Sequence, residues 1–139
     1  MAADQPESAL PPRGRILIAD YEKGTAIPLK YLMEQSGYEV RTAASGEEAL
    51  AVAASFKPDL VLLEGMISNP DGFETCQTLR NHPELSRLRI LFVSAMTRDV
   101  DIARGLAAGA DGYITKPFSN SDIMDHVRKL LELGDGSDQ

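Results

Sequence analysis

Five times along this chain a short run with strand-forming residues, most of them strongly apolar, is followed by a longer amphipathic stretch. The runs are Arg15–Ala19, Glu39–Thr42, Leu60–Leu63, Ile90–Val93 and Gly112–Thr115. Apolar residues repeat with helical spacing near Thr25–Ser36, Gly46–Ser55, Gly72–Asn81, Arg98–Ala108 and Asn120–Leu133. A strand that is apolar on both sides must be covered on both faces, which is the condition of a parallel sheet. Five such strand–helix units therefore predict one doubly wound α/β domain with helices on either side of the sheet. Turn signals at Ser36-Gly37, Lys57-Pro58, Asn69-Pro70 and Ala108-Gly109 separate the units. Pro28 falls inside the first helical stretch, which predicts a late start or a kink there.

The chain has 139 residues, enough for one domain with a core that needs no metal or disulfide. Residues 13–133 are expected to form it, with flexible tails at 1–12 and 134–139, which are rich in small, acidic and turn-forming residues. The formal net charge is -7 and there is no basic run, which argues against nucleic acid or an anionic membrane as partner. The start lacks the basic and apolar regions of a signal peptide, and no run is long enough to span a bilayer, so a cytoplasmic location is expected. Cys76 is the single cysteine and is expected to pack as a small apolar residue. His82 is read as a loop residue.

In open α/β sheets, ligands sit at the carboxyl ends of the strands. The polar residues there are Asp20 after the first run, Glu64 after the third, Ser94 after the fourth and Lys116 after the fifth. Carboxylates with a backbone carbonyl can hold Mg²⁺, which takes oxygen ligands in near-octahedral geometry. A lysine and a hydroxyl can bind the oxygens of a phosphoryl group, and a carboxylate can act as its acceptor.

Four segments resemble the receiver domain of bacterial response regulators. They are Ile16–Glu22, Asp59–Glu74 with its Asp71-Gly72-Phe73-Glu74 end, Phe92-Val93-Ser94-Ala95, and Gly109–Phe118 with its Lys116-Pro117 pair. The resemblance implies a flavodoxin-like (CheY-like) fold with strand order 2-1-3-4-5 and five helices. It puts the phospho-acceptor at Glu64, where the family has aspartate. It implies a switch pair, Ser94 and Tyr113, a phosphoryl-contacting Lys116 before a cis proline, and Mg²⁺ held by Asp20, Glu64 and the Met66 carbonyl. Tyr21 stands where the family has a second acid that touches the metal, and Ser68-Asn69-Pro70 replaces the family's usual loop. Glutamate reaches roughly 1.5 Å further than aspartate, one carbon–carbon bond.

Two readings of Glu64 follow. In one it mimics the phosphorylated state, partially, because a phosphoryl group carries nearly two charges and three oxygens. In the other it is an acid paired to Lys116 without a signalling role. Ser94 and Tyr113 are either the switch pair or a helix-capping hydroxyl and a half-buried strand aromatic. The leading functional expectation is a non-enzymatic, single-domain adapter in two-component signalling, a monomer or weak homodimer. It would bind a protein partner, with little or no dependence on phosphorylation, through the face of the fourth helix, fifth strand and fifth helix, at Arg98, Asp101, Arg104, Tyr113, Asp122 and Arg128. The alternative is a conventional phosphorelay receiver charged by a histidine kinase. A cofactor-binding enzyme of the same flavodoxin-like fold, for instance one binding a flavin, is a third reading, against which stands the lack of a Walker A or dinucleotide fingerprint.

Overall fold

A computed structural model of the chain describes residues 13–136. The strands are β1 (Arg15–Ala19), β2 (Glu39–Ala43), β3 (Leu60–Leu63), β4 (Arg89–Ser94) and β5 (Gly112–Thr115). The helices are α1 (Lys23–Gln35), α2 (Gly46–Phe56), α3 (Gly72–Asn81), α4 (Asp99–Ala107) and α5 (Asn120–Gly136). All strand pairs are parallel and the order is β2-β1-β3-β4-β5, as the resemblance implied. The expected N-terminal tail, 1–12, and residues 137–139 lie outside the described residues.

Alternate residues of each strand face opposite sides of the sheet, and two cores result. Ile16, Ile18, Leu60, Leu62, Leu91 and Val93 pack under α1 and α5, against Leu29, Met33, Ile123 and Val127. Leu17, Val61, Leu63, Ile90 and Phe92 pack under α2, α3 and α4, against Ala49, Ala53, Phe73, Cys76 and Leu79. This is why β3 reads as unbroken apolar sequence: all four of its residues are buried. Cys76 is buried as expected, and burial pushes its thiol up to about 11.

Local chemistry sets the helix starts. Ser45 accepts the Glu48 N–H at 3.1 Å and Asp71 accepts the Glu74 N–H at 2.9 Å, side-chain caps that satisfy first-turn donors. Asp101, buried in α4, accepts the Arg98 N–H at 3.1 Å. Two boundaries differ from expectation. α1 starts at Lys23 and carries Pro28 inside, with no late start. The carbonyl that Pro28 cannot serve belongs to Gly24, in the exposed first turn, where water can replace the missing donor. α5 runs past Leu133 to Gly136, so the expected C-terminal tail begins inside its last turn.

Candidate functional site

The sheet register brings the polar strand ends to one level. Ala19 is paired with Leu63, Leu63 with Phe92, and Ser94 with Thr115. Backbone bonds continue one residue past the strands: the Glu64 N–H donates to the Ala19 carbonyl at 3.0 Å and the Lys116 N–H to the Ser94 carbonyl at 2.9 Å. Asp20, Glu64, Ser94 and Lys116 therefore converge on the carboxyl rim. Asp20 is 6%, Glu64 1% and Ser94 0% exposed.

Both oxygens of Glu64 are occupied by donors. Oε2 accepts the Ser94 hydroxyl at 2.5 Å and the Met66 N–H at 3.0 Å. Oε1 accepts the Ala95 N–H at 3.2 Å and lies 2.9 Å from Lys116 Nζ. Burial pushes the Glu64 carboxyl up, but the Ser94 hydroxyl, Lys116 and the Met66 N–H together hold it below the ordinary carboxylate value. A hydroxyl, an ammonium and two backbone N–H groups form a charge-assisted anion cradle of the kind that suits phosphoryl oxygens.

Lys116 follows β5 at a cis bond to Pro117. Its ammonium lies 2.9 Å from Asp20, 2.9 Å from Glu64 and 3.1 Å from Glu22. Burial works against its charge, yet the acids outweigh it and hold the ammonium above its usual range. Asp20 is raised, chiefly by burial, despite hydrogen bonds from the Glu22 N–H and Lys116.

The Ser94 hydroxyl links this cradle to Tyr113. Ser94 Oγ accepts the Met96 N–H at 3.1 Å, and the Tyr113 hydroxyl donates to the Met96 carbonyl at 2.7 Å. The Tyr113 ring stacks on Phe92 at 5.4 Å, and Phe92 stacks on Phe73 at 5.2 Å. Ser94 is thus bonded to Glu64 and to the β4–α4 loop, and the start of α4 is served by Asp101 instead.

The arrangement does not fit Mg²⁺. A cation, Lys116, already bridges Asp20 and Glu64, and every oxygen of those carboxylates faces a donor. Met66 enters through its N–H, and Tyr21, with no carboxylate to offer, is 46% exposed. Among the described residues no group of three or more His, Cys, Asp or Glu could hold a metal ion.

Sequence reasoning placed Asp20, Glu64, Ser94 and Lys116 at the rim, and the resemblance added Tyr113, which reaches it through Met96; Glu22, Met96 and the Ala95 N–H were missed. Glu22 had a signal, being an acid two residues past a strand end. The Ala95 N–H and Met96 carbonyl act through the backbone, which leaves no side-chain signature. Of the residues named for a partner face, Arg98, Arg104, Asp122 and Arg128 are exposed, whereas Asp101 is buried in its capping role.

The model of the response regulator receiver domain matches residues 16–128. The chain is 41% identical over 117 residues to the alkaline phosphatase synthesis transcriptional regulatory protein PhoP of Bacillus subtilis, covering 84% of this chain and 48% of that protein. It thus spans about half the length of the curated relatives it matches. A two-component response regulator from Clostridium difficile superposes with a TM-score of 0.81 at 30% identity, covering 86% of this chain and 97% of that one. A CheY-like receiver domain protein from Methanospirillum hungatei superposes with a TM-score of 0.83 at 26% identity, covering 88% and 97%. No described helix is long and apolar enough to cross a membrane.

Proposed function

The chain belongs to the response regulator receiver domains of two-component systems, and we propose that it is an atypical member whose output does not depend on phosphorylation. Glu64 stands where the phosphorylated side chain would be and engages the groups that would otherwise hold phosphoryl oxygens. The observation that carries this reading is the 2.5 Å bond from the Ser94 hydroxyl to the Glu64 carboxylate. With Tyr113 turned in on Phe92 and bonded to Met96, the switch pair is already engaged in the unmodified chain.

Output would pass to a protein partner through the face of α4, β5 and α5. Val100 and Leu106 are exposed apolar residues on α4, beside exposed Arg98 and Arg104. Apolar anchors rimmed by arginine suit a protein partner. A net charge of -7 makes nucleic acid a poor one. No catalytic step is assigned to the chain, and Mg²⁺ has no part in this reading.

The test is phosphoryl transfer. Labelled acetyl phosphate, and histidine kinases from the same cell, are expected to leave wild type unlabelled. The double variant Tyr21→Asp/Glu64→Asp restores the missing acid and shortens the acceptor, and is expected to take up label. Label that enters wild type and disappears in Glu64→Gln would replace this reading with the conventional phosphorelay.

A further inference from the structure

The end of the sheet opposite the Glu64 rim carries a second concavity of about 530 Å³. It opens between the entry to β3 at Lys57–Asp59 and the α3–β4 connection at Glu84–Arg89. Strands of this length put it roughly 15 Å from the rim, at about 3.3 Å per residue. Five cations line it, Arg13, Lys57, Arg80, Arg87 and Arg89, against the acids Asp59 and Glu84. That excess is local, in a chain whose net charge is -7.

The five cations are not equivalent. Arg80 is structural: its guanidinium donates to the carbonyls of Ser86, Leu88 and Gly109 and to Asp111, and so fixes the loop that forms one wall. Lys57 pairs with Glu84 at 2.9 Å. Arg13 donates to the Ser36 carbonyl and lies over the Tyr38 ring. Arg89 is under-satisfied. Its Nε is buried without a hydrogen-bond partner, and its nearest acid, Asp111, is 3.6 Å from Nη1. Asp111 already accepts from Arg80 and from the Ile90 N–H, both at 2.8 Å. Arg87 is exposed at the mouth, and no carboxylate pairs with it among the described residues.

Two guanidinium groups with donors to spare, Arg87 on the loop that Arg80 holds and Arg89 at the first residue of β4, form a ready fork for phosphate oxygens, which guanidinium binds bidentately. The apolar walls, Leu85 and Leu88, and the cavity size suit a ligand no larger than a nucleotide. We infer that this basal cleft binds a small anion of the diphosphate class through Arg87 and Arg89, independently of the Glu64 rim. Both inorganic pyrophosphate and a nucleoside diphosphate present that group.

The test is an NMR titration of the full chain at low ionic strength, with inorganic pyrophosphate in one arm and ADP in the other. Saturable shifts are expected at the amides of Ser86, Leu88 and Arg89, with a midpoint below about 1 mM, while Ala95 and Lys116 stay still. Tighter binding of ADP identifies the nucleotide as the ligand, and equal binding identifies the diphosphate group alone. Arg89→Gln and Arg87→Gln are each expected to raise the midpoint about tenfold, the loss of one charge-assisted bond. Arg87 is exposed, so Arg87→Gln folds and decides the matter even if Arg89→Gln does not. Shifts that never saturate, that sodium chloride reproduces, or that Arg87→Gln leaves unchanged would overturn the inference.

Discussion

The Glu64 carboxylate is ionised in a place where burial works against it, and its donors decide the balance. Removing one should be measurable. Ser94→Ala deletes a hydrogen bond to a buried charge and is expected to cost about 2 kcal/mol in denaturant unfolding. Asp20, Glu22 and Glu64, the acids around Lys116, set the alkaline behaviour. The folded-state pKa of Lys116 is raised above its unfolded value of 10.5. Its stabilisation is therefore fully present below that pH and lost as pH rises through the folded value. Wild type should lose stability above pH 10.5 through this group, and Lys116→Gln, though less stable at neutral pH, should lack that part of the alkaline loss. Glu64 has the opposite sign: its pKa is lowered from 4.5, so its contribution is present above that value and lost as pH falls below it. At this scale much of the site was legible. A charged residue at the end of an apolar run has few places to go except the rim. The backbone donors of Met66 and Ala95 were not legible, because any residue type can supply an N–H.

At the scale of elements, the end of β3 and the start of α3 are locked together. A Cβ on Gly72 would lie 2.6 Å from the Glu64 carbonyl oxygen and 2.6 Å from the Gly65 Cα. The strand end that presents Glu64 thus packs directly on the helix start that Asp71 caps. Gly72→Ala is expected to destabilise the fold by about 1–3 kcal/mol through overpacking, and to move the Ser94 and Ala95 amide resonances by shifting Glu64. An unchanged spectrum would show that the contact is slack. The strands were read to within a residue or two, most plainly β1, β3 and β4, whose near-complete burial on both faces leaves a distinctive apolar run. The helix ends were read less well. Pro28 misled because the carbonyl it abandons lies in an exposed turn, and α5 runs on through Gly134, which disfavours a helix but does not forbid one.

For the molecule as a whole, one parallel sheet presents two ends of different character. The carboxyl rim gathers Asp20, Glu22 and Glu64 around one lysine, while the amino end gathers arginines at a cleft. The doubly wound α/β class followed from the alternation of runs and stretches and the strand order from the family resemblance, whereas the internal cradle of Glu64 was visible only in the folded structure. On the proposed reading, Glu64 holds the domain in the state a phosphoryl group would produce. The most direct measurement compares amide spectra of wild type with those of Tyr21→Asp/Glu64→Asp, free and charged with beryllofluoride and Mg²⁺. The charged variant is expected to move toward wild type at Ser94, Met96, Tyr113 and Lys116, and wild type itself to ignore the same reagents. A wild type that binds beryllofluoride saturably, or that matches the uncharged variant at those positions, would contradict it.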